Sequence, residues 1–260
     1  MIFQLNLNRI SNEALVPINY QYPLSAAIYK ILQKGDKGYA QFLHKEGYGK
    51  GYKFFTFSEL KGKFKRDGDR LILLEDTIRL KVCFHLPKAS QVFVEGLFKS
   101  ETIEIADKKS KAAFTVQSIV AELSPLSSVE NEKEILQIII QPESAIVAGT
   151  KKENGNYDFK APDEEEFTES LIYSWREKIK AAYNEKAGKE AILVIEVEKY
   201  ANPYRSRLIH IKAGRKEETK IRGFLNFKLK LTAEKRFLEL VLNSGLGLYS
   251  AQGMGCVRVV

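Results

Sequence analysis

Cysteine, tryptophan and histidine are scarce in this 260-residue chain, at two, one and three residues. Cys83 and Cys256 each sit in an apolar, strand-like run without metal-ligand spacing, so both read as buried free thiols. No uninterrupted apolar run approaches the roughly 20 residues that span a bilayer, which leaves no membrane helix to place. The opening Met1–Leu7 lacks the basic start and long apolar core of a signal peptide and alternates like a strand, so a cytoplasmic protein is expected. No compact Asp/Glu/His set resembles a two-metal site. What is present, 44 % hydrophobic and 28 % charged residues, describes a folded, soluble chain with room for two domains of about 130 residues.

The net charge of +8 is localised. Arg205 to Arg236 holds eleven Lys or Arg against three acids, and Lys45 to Arg66 holds seven against two. Such clustering suits a polyanion, because each neutralised phosphate releases condensed counterions. A solvated lysine face gives the same count. The candidate contacts are Arg205, Arg207, Lys212, Arg215, Lys216, Lys220, Arg222, Lys228 and Lys230. In one strand spanning Ile221 to Leu231, Arg222, Lys228 and Lys230 would share a face. Gly223 would let backbone approach the ligand. Phe224 and Phe227 could stack bases, but core packing is the stronger reading.

Near the end, Gly245, Gly247, Gly253 and Gly255 fall within eleven residues, ahead of the hydrophobic run Cys256 to Val260. Three readings fit: a plain connection, a cradle offering backbone N–H groups to a phosphate, or an RNA-facing surface. The glycines follow a helical run and precede a strand. That is the reverse of a dinucleotide fingerprint.

Patterning divides the chain into 1–123, a polar linker 124–134, and 135–260. The first part reads as strand Ile2–Arg9, helices Pro23–Leu32 and Gly38–His44, strands Phe54–Phe57, Arg70–Glu75 and Thr77–Leu86, helix Pro87–Phe98, and strands Ile103–Ile105 and Ala113–Leu123. The second reads as strand Ile135–Ile140, a turn around Gly155, a helix from the acidic start at Asp163 to Tyr183, strands Ala191–Glu198, Arg207–Lys212 and Ile221–Leu231, helix Ala233–Leu242 and a last strand. Each part follows the β-α-β-β-α-β order. The expected fold class is α+β: tandem ferredoxin-like (RRM-like) domains with antiparallel sheets and a C-terminal glycine-rich loop.

Histidine is suited to give and take protons near neutrality. His85 lies inside a strand and reads as structural, as does His210 within the basic zone. His44 ends a helix and enters the glycine-rich basic segment Lys45–Lys53, where it could also merely cap the helix. Tyr29 precedes it and Lys53 follows. These three groups make chemical sense with RNA, whose 2′-OH already stands beside the scissile phosphate. Cleavage there needs a proton acceptor, a proton donor for the departing 5′ oxygen, and positive charge.

Gln21-Tyr22-Pro23-Leu24, Ile28-Tyr29, Phe42-Leu43-His44, Lys53–Ser58 and the Gly245–Gly255 loop before Val257-Arg258-Val259 together give a resemblance across essentially the whole chain. It resembles the CRISPR-associated endoribonucleases that process precursor CRISPR RNA, within the repeat-associated RNA-binding superfamily. The resemblance implies that Tyr29, His44 and Lys53 match the catalytic tyrosine, histidine and lysine, with Lys50 the competing lysine. It further implies metal-independent cleavage within repeats, 5′-hydroxyl and 2′,3′-cyclic phosphate ends, no cofactor, and transfer of the guide to CRISPR effector-complex proteins. A non-catalytic RNA-binding subunit is the alternative, and homodimerisation stays open.

Overall fold

The computed structural model describes residues 1–11, 14–100, 102–153, 155–198, 203–214 and 216–260. The chain opens on β1 (Ile2–Arg9) and β2 (Leu15–Pro17), then α1 (Gln21–Gly35) and α2 (Lys37–Lys45). Strands β3 (Phe55–Phe57), β4 (Phe64–Asp67), β5 (Arg70–Leu73) and β6 (Thr77–Phe84) follow, then α3 (Pro87–Phe98), β7 (Ile103–Ala106) and β8 (Lys111–Glu122). β1 sits mid-sheet in the order β3-β6-β1-β8-β7. Its alternation buries Phe3, Leu5 and Leu7, the period-two signature of a half-buried strand. α1 covers that face with Leu24, Ala27, Ile28, Ile31 and Leu32, a helical stripe at three- and four-residue spacing. α3 starts with Pro87 in its first turn, where a missing N–H costs nothing. β2, β5 and β4 form a separate three-stranded sheet.

The later elements are β9 (Ile135–Pro142), β10 (Ala148–Lys151), β11 (Tyr157–Lys160), α4 (Glu165–Ala182), α5 (Glu185–Glu190), β12 (Val194–Val197), β13 (Arg205–Ile211), β14 (Thr219–Leu225), β15 (Leu229–Glu234), α6 (Lys235–Ser244) and β16 (Val257–Val259). The sheet order β12-β15-β9-β16 repeats the relative order of β3-β6-β1-β8, so the α+β, antiparallel, ferredoxin-like arrangement is plain. α4 and α6 pack on it through Phe167, Leu171, Trp175, Phe237 and Leu238. Trp175 is fully buried, and its indole N–H donates to the Phe237 carbonyl at 3.0 Å. Hairpins β10–β11 and β13–β14 stand outside this sheet.

The single strand expected over Ile221–Leu231 is two. Asn226 takes the left-handed conformation, φ 62°, which asparagine tolerates better than most residues. β14 therefore pairs with β13, whereas β15 runs between β12 and β9. Arg222, Lys228 and Lys230 consequently share no common strand face. Phe224 and Phe227 are both buried in the core around α4.

The two halves lock together at several points. Phe54, at φ 51°, turns into the α4/α6 core, while its neighbour Phe55 enters the α1/α3 core. Glu143, just after β9, accepts from Lys61 and stands 2.6 Å from Lys81 Nζ. Cys83 and Cys256 are buried free thiols that cluster with Ile2.

Candidate functional site

α2 is capped by Asp36, whose Oδ1 accepts from the Tyr39 N–H at 2.9 Å. The helix delivers His44, exposed, in its last turn. Three glycines at positive φ, Gly47, Gly49 and Gly51, then fold the chain back on itself. The result brings Lys53 beside the helix end, where its Nζ donates to the His44 carbonyl at 3.1 Å. From α1, Tyr29 presents its ring edge-on to the His44 imidazole, with centroids 5.0 Å apart. Phe55 also packs edge-on against Tyr29, with ring centroids 5.5 Å apart.

These positions set the chemistry. Burial pushes the Tyr29 phenol well above its ordinary range, so it remains a hydrogen-bond donor at neutral pH. Burial lowers the Lys53 ammonium, against the attraction of Glu46. Lys50 is engaged elsewhere, 2.6 Å from Glu177 Oε2 and over the Tyr173 ring. Of the two lysines, Lys53 therefore stands with His44 and Tyr29.

All three line a cavity of about 630 Å³ together with Gly247–Gln252 and with Ser174 and Lys178 of α4. Four lysines line it (Lys30, Lys45, Lys53 and Lys178), and no described aspartate or glutamate does. Such a lining favours an anion, neutralised by ammonium groups and hydroxyls. Among the described residues, no cluster of three His, Cys, Asp or Glu has the grouping of a metal centre.

The glycine-rich segment is held from both halves. Ser25 Oγ donates to the Ala251 carbonyl at 2.7 Å and Thr56 Oγ1 to the Met254 carbonyl at 2.8 Å. From α4, Ser174 Oγ donates to the Gly247 carbonyl at 3.2 Å. Gly245, Gly247, Gly253 and Gly255 all have positive φ and are buried. A Cβ on Gly253 would fall 2.3 Å from the Phe57 ring, and one on Gly247 would fall 2.4 Å from the Val147 carbonyl. Packing and backbone hand alone thus account for these glycines, and only Gly247 among them lines the cavity.

Lys178 is the residue that sequence patterning missed. It is buried on α4 and donates to the Gly245 carbonyl at 2.7 Å, Ser250 Oγ at 2.8 Å and the Ser244 carbonyl at 3.4 Å. Burial lowers its pKa to about 7. The available signal was its position: it continues the apolar stripe Phe167, Leu171, Trp175, where a lysine needs internal acceptors.

The basic candidates separate. Arg205, Lys216, Lys220 and Arg222 are exposed on or beside the β13–β14 hairpin. Arg207 instead pairs with Glu59, donates to the Ile18 carbonyl at 3.1 Å and lies over the Tyr20 ring, joining the halves. Lys230 pairs with Glu196 at 2.6 Å, and Lys228 lies between β14 and β15. Gly223 is buried, its missing Cβ leaving room for Ala145. Lys212 lines a second cavity beside His210. Arg215 lies outside the described residues. His85 is half-buried and held neutral, its pKa lowered to about 4 by desolvation, then by the nearby N-terminus.

Fold and site define an α+β protein of ferredoxin-like arrangement with an anion-accepting cavity between its halves. The family described as CRISPR associated protein Cas6, C-terminal, matches residues 128–259, and that described as CRISPR-associated protein Cas6, N-terminal, matches residues 15–119. The chain belongs to the Cas6 family. A relative from Methanocaldococcus jannaschii, CRISPR-associated endoribonuclease Cas6 1, is 29 % identical over 181 residues. That match spans 67 % of this chain and 64 % of the relative, slightly less than two thirds of its length. A Cas6-related structure from Pyrococcus furiosus superposes with a TM-score of 0.80 at 20 % identity, covering 100 % of this chain and 98 % of that one. A RAMP protein described as binding different RNA substrates has a TM-score of 0.74 at 20 % identity, covering 100 % and 99 %. At these identities the two structures speak for the fold.

Proposed function

We propose that the protein is an endoribonuclease that cuts precursor CRISPR RNA within its repeats to release guide RNAs. The observation that carries this reading is one cavity lined by His44, Tyr29 and Lys53 together with the glycine-rich segment, with four lysines and, among the described residues, no carboxylate. The 2′ oxygen attacks the adjacent phosphorus, the bond from phosphorus to the 5′ oxygen breaks, and the ends are a 2′,3′-cyclic phosphate and a 5′-hydroxyl. His44, exposed in the cavity, exchanges a proton with the attacking or the departing oxygen. Tyr29, kept protonated, orients the imidazole and the phosphate by hydrogen bonding. Lys53 places positive charge near the phosphorane. This route draws its proton transfer and charge from the chain's own side chains.

The two ferredoxin-like units are read as tandem domains, 1–123 and 135–260, joined by 124–134. The exposed Arg205, Lys216, Lys220 and Arg222 take backbone phosphates, which position RNA without reading its sequence. CRISPR effector-complex proteins are the expected recipients of the product.

The test is incubation with a cognate repeat RNA in EDTA. Cleavage is expected, and 2′-deoxyribose at the nucleotide upstream of the cut should abolish it. His44→Ala should slow cleavage at least about 100-fold, the lower range for a lost acid–base group, with RNA affinity nearly unchanged. Cleavage of the deoxy substrate, or an unimpaired His44→Ala, would sink the mechanism. Binding without cutting across several repeats would favour a non-catalytic RNA-binding subunit. A substrate with sulfur replacing the departing 5′ oxygen assigns the proton: it rescues His44→Ala only if His44 is the acid, because the thiolate leaves unprotonated.

A further inference from the structure

A second cavity, of about 440 Å³, adjoins the first across the opening turn of α1: Tyr22 and Ala26 line both. One helical turn, roughly 5.4 Å, separates the two residues along the helix. The far side of this cavity is built by the β4–β5 turn, the β7–β8 turn and the tip of the β13–β14 hairpin. Both halves of the chain therefore contribute.

Its charges are unevenly satisfied. Arg70 stands 2.7 Å from Asp107 and Lys109 stands 2.8 Å from Asp69, which occupies both carboxylates lining the cavity. Lys108 and Lys212 also line it, and among the described residues neither has a carboxylate partner. Their backbones are fixed. Asp107 Oδ1 accepts from the N–H groups of Lys109 and Ser110, both at 2.8 Å, closing the turn that carries Lys108. Lys212 is held in the left-handed region at φ 54°, a conformation that costs a lysine free energy and invites a functional explanation. The hairpin is anchored nearby, where the His210 N–H donates to Asn19 Oδ1 at 3.2 Å and the His210 ring meets Glu218 at 2.8 Å. Tyr22, half-buried between the cavities, supplies an aromatic face. Unpaired cations and an aromatic ring lining one cavity suit single-stranded nucleic acid, the ring stacking a base and the cations holding backbone phosphate.

We propose that the second cavity is a subsite for the RNA strand continuing from the cleavage cavity, with a base against Tyr22 and a backbone phosphate between Lys108 and Lys212. This rests on the RNA-cleaving reading above and adds a place and direction for the strand: past the first turn of α1, towards the β7–β8 turn.

The experiment measures affinity for two series of repeat RNAs, shortened stepwise from the 5′ end and from the 3′ end. It uses full-length wild-type protein and the double variant Lys108→Gln/Lys212→Gln, at several salt concentrations. In one series, wild-type affinity should fall by about tenfold when the nucleotides reaching the subsite are removed, as charge-assisted phosphate contacts are lost. The double variant should bind the longest RNA about tenfold more weakly and show no such step. Its slope of log affinity against log salt should be shallower by about one, the signature of one lost phosphate contact. A double variant that keeps the step and the wild-type slope overturns the subsite while leaving the cleavage reading intact. A wild-type protein that neither binds nor cuts any repeat RNA overturns both.

Discussion

The buried ammonium of Lys178 makes stability depend on pH in a direction opposite to that of most lysines. Its ordinary value is 10.5, and burial lowers it to about 7 in the folded protein. Between those values the unfolded chain holds a proton that the native protein has released, so folding is favoured as pH rises. The slope reaches about 1.4 kcal/mol per pH unit, and integrating it from pH 7 to pH 9 gives about 2 kcal/mol. Lys178→Met keeps a long apolar side chain and removes the titrating amine. Urea denaturation of both proteins at pH 7 and pH 9 isolates this residue, because other groups that titrate in the window, including the partly buried N-terminal ammonium, cancel in the comparison. Wild type should gain about 2 kcal/mol more than the variant over that interval. The variant should also lose RNA cleavage more than RNA binding, since Gly245 and Ser250 lose the donor that sets the cavity wall. Equal pH dependence in the two proteins, to within about 0.5 kcal/mol, would refute the argument.

Two glycines at positive φ separate backbone strain from packing. Gly68 has φ 56° and nothing within 4 Å of an added Cβ, so Gly68→Ala should cost about 1 kcal/mol in a denaturation experiment. Gly253→Ala adds the collision with Phe57 and should cost about 3 kcal/mol or more; equal losses would show that the Phe57 contact is not fixed. For Glu143, burial raises the carboxyl pKa, but Lys61 and Lys81 outweigh it and hold the group below its ordinary 4.5. Its contribution is therefore complete above that value and lost as pH falls through the native pKa. Glu143→Gln should destabilise by about 2 kcal/mol at pH 7, discounted because the Lys61 side chain is 44 % exposed, and the gap to wild type should narrow in acid.

Much of the fold is legible because periodicity is local. β1 and α3 occupy the residues their patterns predict, Ile2–Arg9 and Pro87–Phe98, since each buries a regular stripe. β2 and β10 have three and four residues, too few for alternation to register. The break at Asn226 was hidden because apolar residues continue on both sides, through Phe224, Leu225, Phe227 and Leu229. Asn226–Lys228 separate β14 from β15, and of these three only Asn226 takes a positive φ. Charge was legible as a total but not as a disposition. Arg207 belongs to a surface basic run in sequence, yet its partner Glu59 lies 148 residues away, a distance at which spacing carries no information. The second cavity was hidden for the same reason. Lys108 and Lys212 come to line one cavity only through folding.

The glycine-rich segment shows how far composition reaches. Four glycines within eleven residues invite a ligand cradle, yet Gly253 and Gly247 are demanded by Phe57 and by the Val147 carbonyl, one from each half of the chain. A loop so closely seated cannot be displaced without disturbing both cores. Its outer residues, Leu248 to Gln252, are half-buried and line the cavity together with Tyr29 and His44. Tyr29 and His44 lie on α1 and α2, while Ser174, Lys178 and Gly247–Gln252, which line the same cavity, come from α4 and the terminal segment. The cavity therefore exists only when the halves are docked. Anything that weakens the docking, such as loss of Arg207 or Glu143, should lower cleavage without touching the scissile phosphate, because the separation of the two walls is set by that interface.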